Sequence, residues 1–512
     1  MNNITKFSVI VLILTAAAIS YADVKLPAVI SDNMVLQQKT NATIWGWADP
    51  GEKIKVKASW RWLFRSSTTA DKDGKWELKL KTPKAGGPYD ITIKANNTIE
   101  LENVLIGEVW VCSGQSNMQW TMKGTENPDK DIASADKPNI RLFTVERIIA
   151  EEPKDDCNGN WSACTPETVA EFSAVGYFFG KHLADELDIP IGLISTNWDG
   201  TLAEAWTRKE ILESDADFAP ILQRQEQWEA GLPEALKKYE KDMEVWKVKA
   251  EKAKAKGKRA PRKPRKPTKR NSNSPSSLYN AMIAPIIPYA IKGAIWYQGE
   301  SNVSRAYQYR KLFPAMITNW RKDWKQGDFP FYYVQIAPFK YGEKRASQEL
   351  REAQRLTLLL RNTGMAVTMD IGNPENIHPK NKLDVGRRLA LWALAKDYGK
   401  KDIVYSGPIY KSMEVEGDKI RLSFDHTGSG LKTRDGKEVS HLTIAAEDQN
   451  FVPAKATIDG KTIIVSSEDV KKPAAVRYAW SNTAEPNLAN KEGLPASSFR
   501  TDNWPGITHN ER

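Results

Sequence analysis

Between about residues 104 and 402, short apolar runs with the composition of buried strands alternate with longer stretches of helical spacing. No other feature narrows the fold so far. Parallel strands need a crossover between them, and a helix is the usual one. The strand-like runs are Val104–Cys112, Pro190–Ser195, Gly293–Tyr297, Phe329–Ile336 and Met365–Met369. Helical spacing fills Ala170–Leu187, Arg310–Trp324 and Gln348–Leu360. The pattern predicts an α/β domain with a largely parallel sheet.

The rest of the chain divides around that domain. Residues 23–104 read as an N-terminal β domain, with alternating runs such as Lys53–Lys57 between the turn signals Asp49-Pro50-Gly51, Asp73-Gly74 and Gly86-Gly87-Pro88. Residues 105–402 form the α/β domain, interrupted at 209–277 by a helical stretch (Phe218–Lys256) and a basic, proline-containing run. Residues 403–512 are β-rich again. At 512 residues and 41% hydrophobic composition the chain has ample material for several cores.

The first 22 residues have the pattern of a secretory signal peptide. A short n-region ends at Lys6, an apolar run covers Phe7 to Ile19, and Ser20-Tyr21-Ala22 supplies the small-x-small cleavage pattern. The expected location is secreted or periplasmic, with no membrane span after signal cleavage, since the apolar run is short for a span. In that compartment Cys157 and Cys164, in the loop CNGNWSAC, could close a small disulfide ring, whereas Cys112 is expected to be a buried thiol. No Cys/His spacing resembles a zinc site, and neither a metal nor another cofactor is expected.

The formal charge of +10 is concentrated in one place. Residues 247–270 carry thirteen Lys/Arg and one Glu, more than the whole surplus, so the remainder is near neutral. The run reads as a solvated, partly disordered insertion, and nucleic acid is not an expected partner. If it meets anything, an anionic polysaccharide or envelope surface suits an exported protein. Eighteen Trp are mostly core material, although flat aromatic faces also serve sugar clefts.

The chemistry-bearing residues gather after the predicted strands, where ligands bind in open parallel sheets. Ser116 lies in the turn that follows Val104–Cys112. The motif is not the Gly-x-Ser-x-Gly elbow, because Met118 stands where that pattern needs Gly. A serine nucleophile needs a base, and of the five histidines only His378 follows a strand-like run of this domain. Glu375 and Asp370 are both near enough in sequence to orient it. Asn197–Thr201 and Gln298-Gly299-Glu300-Ser301-Asn302 follow two other strands, and their polar groups are placed to donate to an oxyanion or to sugar hydroxyls.

Taken together, these segments resemble the sialate O-acetylesterase family of the SGNH hydrolases. Gly107–Met118 is similar to the nucleophile block, Trp296–Asn302 to a second block, and Ile377–Lys382 to the histidine block. Trp198–Thr201 with Glu204-Ala205-Trp206 resembles the glycine block, with Asp199 where that block usually has Gly. Leu350–Gln354 is similar to a further segment. The resemblance implies an α/β fold of the SGNH type, a three-layer α/β/α sandwich with flanking β-sandwich regions. It implies metal-free deacetylation of an acetylated carbohydrate through an acyl-enzyme. By position, Ser116 is the nucleophile, His378 the base, Gly200 an oxyanion donor, and Gln298 or Asn302 the side-chain contributor. The orienting acid is Glu375, three residues before the histidine, or Asp370. Two rival functions remain, a non-catalytic glycan-binding protein and a glycosidase using Glu300 and Glu375 as paired carboxylates. Neither the particular glycan nor the oligomeric state follows from these residues.

Overall fold

The computed structural model describes residues 23–61 and 66–512. The segment assigned as a signal peptide lies outside them. Among the described residues no helix is long and apolar enough to cross a membrane.

The centre is a twisted sheet whose strands we label β1 (Thr98–Gly114), β2 (Lys137–Thr144), β3 (Trp161–Cys164), β4 (Ile191–Asn197), β5 (Gly293–Tyr297), β6 (Phe331–Val334) and β7 (Thr363–Ala366). Their spatial order is β7-β6-β5-β1-β4-β2-β3. All neighbouring pairs are parallel except the edge pair β2–β3. Side chains alternate across the sheet, and both faces are covered. Val109 and Val111 enter one core with Trp296, Phe331 and Tyr333, whereas Trp110 and Cys112 enter a second with Ile295, Tyr332 and Val334. This two-sided burial is why these strands read as continuous apolar runs rather than as alternating ones.

A helical layer closes each face. We label the helices α1 (Ser116–Gln119), α2 (Ala174–Leu187), α3 (Ala219–Ala255), α4 (Ala306–Trp324), α5 (Ser347–Leu356) and α6 (Lys382–Lys396). α2 and α6 supply Phe179, Leu183, Leu389 and Trp392 to the second core, and α4 and α5 supply Phe313, Trp320 and Leu350 to the first. The result is the three-layer α/β/α sandwich.

β1 is longer than the sequence indicates and runs across residue 104. Its first half pairs antiparallel with Gly86–Lys94 in the N-terminal β region, and its second half lies in the parallel sheet. After residue 408 the chain builds two four-stranded antiparallel sheets. The chain end clasps α5, where the Glu349 carboxylate accepts from the N–H groups of Ile507 and Thr508, and Arg500 pairs with Glu352.

The expected Cys157–Cys164 ring is not formed, and all three cysteines are free. The two lie apart, because Cys157 packs in the first core while Cys164 packs in the second and donates to the Ala135 carbonyl at 3.3 Å.

Candidate active site

Strand order reverses around β1. After β4 the chain crosses from one side of β1 to β5 on the other, so β1 sits at the topological switch point, where open α/β sheets bind ligands. The register brings three strand ends level, with Gly114 of β1 opposite Asn197 of β4 and Tyr297 of β5. The loops that follow these strands are therefore neighbours, although about 80 and 100 residues separate them in sequence.

Gly114 makes the turn possible. Its φ is +139°, and a Cβ there would stand 2.2 Å from the Tyr297 carbonyl oxygen. The chain leaves the strand into the single turn α1, which begins at Ser116. Gln115 holds this turn to the β5 loop, its N–H donating to Tyr297 O at 3.0 Å and its Oε1 accepting from Gly299 and Ser301. Met118 is fully buried in the second core, and its carbonyl accepts from Ser173 Oγ at 2.6 Å. A large apolar anchor thus takes the place of the elbow glycine, and Ser116 stays half-exposed above it.

His378 reaches the same place from the far side of the sheet, in the loop after β7. It shares with Ser116 a cavity of about 470 Å³, also lined by Gln119, Trp120, Lys123 and Asp199. That volume suits a sugar-sized ligand. The imidazole stacks on Trp120, with centroids 5.1 Å apart and planes at 25°. Partial burial and then the Lys382 charge push its pKa below the ordinary imidazole value, and the Asp199 carboxylate pulls it back up. A base kept neutral near pH 7 is what a serine nucleophile requires. A larger cavity of about 580 Å³ lies between Trp392, Tyr405 and His426, but it has no serine or cysteine in its lining.

Beneath the pocket lies a buried polar chain that the sequence did not reveal. Asn117, next to Ser116, donates to Glu300 Oε1 at 2.6 Å and to the Ile377 carbonyl at 3.1 Å, and accepts from Lys382 Nζ at 2.5 Å. One amide therefore ties together the nucleophile turn, the β5 loop and the residue preceding His378. Burial pushes the Glu300 carboxyl up and pulls the Lys382 ammonium down to about 7. The only sequence signal was a lysine four residues after the histidine, which ordinarily reads as a solvated charge.

A solved carbohydrate acetylesterase from Xanthomonas citri is similar to this chain at 36% identity, over 94% of this chain and 100% of that one, with a TM-score of 0.80. This chain belongs to the sialate O-acetylesterase family of carbohydrate esterases. The family described as "Carbohydrate esterase, sialic acid-specific acetylesterase" matches residues 267–395. The sialate O-acetylesterase of Mus musculus is 28% identical over 88% of each chain, and that of Homo sapiens 28% over 94% of each.

Several sequence-derived sialate O-acetylesterase positions turn out to be framework. Gln298 is fully buried, donates to Thr201 O and Asn302 Oδ1, and accepts from the Tyr309 hydroxyl. Asn302 accepts from the Ala203 N–H and donates to Glu204. Gly299 leaves room for Leu350, whose Cδ2 would lie 2.6 Å from a Cβ there. Gln354, in the Leu350–Gln354 segment, donates to the Gln298 carbonyl. Gly200 is exposed at a φ of +69°, beside Asp199 at the pocket edge.

The two carboxylates expected to orient His378 both lie outside the pocket lining. Asp370 is locked in a two-pronged ion pair with Arg388 of α6, both contacts 2.7 Å. Glu375 is exposed at the tip of a turn whose backbone is bonded by the Asn373 side chain at 2.9 Å. Neither lines the pocket, and the carboxylate that does is Asp199. Glu300 and Glu375, the pair a glycosidase would need, do not line a common cavity there either.

Proposed function

We propose that this carbohydrate O-acetylesterase works through an acetyl-enzyme on Ser116, with His378 as the proton carrier. The observation that carries the reading is the shared pocket, lined by the half-exposed Ser116 after the central strand β1 and by His378 after the edge strand β7. Ser116 Oγ attacks the acetyl carbonyl carbon while His378 accepts its proton. The developing oxyanion is held by the backbone N–H groups of Ser116, in the open first turn of α1, and of Gly200. Collapse breaks the ester bond, and His378 returns the proton to the departing sugar oxygen. Water, deprotonated by His378, then attacks acetyl-Ser116, and collapse releases acetate as His378 returns the proton to Ser116 Oγ. The Asp199 carboxylate favours the imidazolium that forms in both halves. Trp120 fixes the ring plane by stacking.

A serine-reactive aryl phosphonate tests this. It is expected to label the peptide containing Ser116, and to do so far more slowly in His378→Ala. Labelling elsewhere, or none, overturns the assignment. We also propose that the protein acts outside the cytoplasm. A mature N-terminus found after residue 22 in the exported fraction supports that location, and an intact Met1 in a cytoplasmic fraction contradicts it.

A further inference from the structure

The basic run is the return leg of an arm. α3 carries the chain outward from Ala219 to Ala255, and residues 256–270 come back beside it. The indole N–H of Trp246 donates to Pro261 O, that of Trp228 to Thr268 O, and Gln225 to Lys269 O, so the two legs run antiparallel. The two indoles are about 27 Å apart along a helix rising 1.5 Å per residue, and seven residues of fully extended chain reach about 23–25 Å, so a return leg bonded to both has to run extended.

The sequence of that leg fits its shape. Pro261-Arg262-Lys263-Pro264-Arg265-Lys266-Pro267 repeats every three residues, the period of an extended polyproline helix. Pro264 and Pro267 are half-buried, whereas Arg262, Lys263, Arg265 and Lys266 are exposed. Successive arginines, and successive lysines, then stand about 9 Å apart in such a helix. Of the thirteen basic side chains from 247 to 270, Lys269 and Arg270 pair with Glu151, and the others make no ion pair among the described residues. Charges left open in a regular row on a tethered, extended chain form a linear anion-binding track.

The foot of the track stands at the active site. Just beyond Arg270, Asn273 accepts from the Leu202 N–H at 2.8 Å and donates to the Gly200 carbonyl at 3.2 Å, bonding the arm to the loop that edges the pocket. We propose that the arm is a docking track for an acidic polysaccharide, a polymer bearing regularly spaced carboxylates, and that it delivers that polymer to Ser116. This rests on the esterase reading and extends it to the class of substrate. An extended polyuronate is itself a linear array of charges, matching the row. Nucleic acid fits less well, because the indoles of the arm are engaged with the return leg rather than offered for stacking.

The test uses the full chain and a variant combining Arg262→Gln, Lys263→Gln, Arg265→Gln and Lys266→Gln. At low salt the parent is expected to bind unesterified polygalacturonate but not neutral dextran, and the variant to bind it about tenfold or more weakly. On acetylated polygalacturonate the variant is expected to show a raised KM with kcat unchanged, and on an aryl acetate both proteins are expected to turn over equally. Equal polygalacturonate binding by parent and variant overturns the proposal. So does tighter binding by the parent to duplex DNA or to anionic phospholipid vesicles. Polymer binding and aryl acetate turnover are read separately, so persistence of turnover in Ser116→Ala refutes Ser116 as the nucleophile without touching the binding result.

Discussion

The loops after β4 and β5 flank the nucleophile, and in sequence they look alike. Each is a short polar stretch containing glycine at the carboxyl end of a parallel strand. Their fates are opposite. In the β5 loop Gln298 and Asn302 are buried and bonded to each other and to the surrounding framework. In the β4 loop Asp199 and Gly200 are exposed at the pocket edge, held mainly through backbone atoms. A side chain whose hydrogen-bonding groups are already engaged inside the protein cannot offer them to a substrate without losing that bond. The β5 loop is therefore a buttress, and the β4 loop is the exposed rim of the pocket.

The largest effect that separates pocket from buttress is on turnover. Ser116→Ala and His378→Ala are each expected to lower kcat by about 10³-fold or more while leaving the melting temperature nearly unchanged. A large stability loss with surviving turnover would move these residues into the framework. The converse holds for the buttress. Gln298→Ala is expected to lower stability by about 2–4 kcal/mol in urea unfolding, because it leaves buried partners unbonded. Its kcat per folded molecule should fall far less than that of Ser116→Ala. A catalytic collapse without destabilisation would return Gln298 to the chemistry.

Smaller effects are expected in the pH profile. His378 must be neutral to act, so the rate falls as pH drops through its pKa, which lies below the ordinary imidazole value. Lys382→Met removes a positive neighbour that disfavours protonation, so the acidic limb of kcat/KM should move to higher pH. Asp199→Asn removes a negative neighbour that favours protonation, so that limb should move to lower pH, and by less. Limbs that stay in place, or shift in the same direction, would detach these groups from His378.

The fold was legible where burial is two-sided. The apolar runs at Gly293–Tyr297 and in β1 could be strands of a parallel sheet and little else. β2 and α6 were not marked in advance, because Lys137–Thr144 mixes proline and charge with its apolar residues, and Gly386 and two arginines interrupt the pattern of α6. Ser116 and His378 were marked because residue type and position after a strand both pointed to them, and the fold brings both to one cavity. The carboxylate that lines the pocket was not legible, because proximity in sequence says nothing about which way a turn faces. The two Asn side chains around Glu375 bend their own backbone, turning it outward. Lys382 went unnoticed because burying a lysine is a tertiary event, set by Asn117 and Glu300 from distant loops.

The central claim is that one hydroxyl carries the acetyl group between substrate and water. Acid quenching during turnover of an aryl acetate, followed by peptide mapping, tests it directly. The account predicts a single acetyl group on the peptide containing Ser116, absent in Ser116→Ala. An acetyl group on another side chain, or turnover with no acetylated peptide even when deacetylation is slowed, would contradict it.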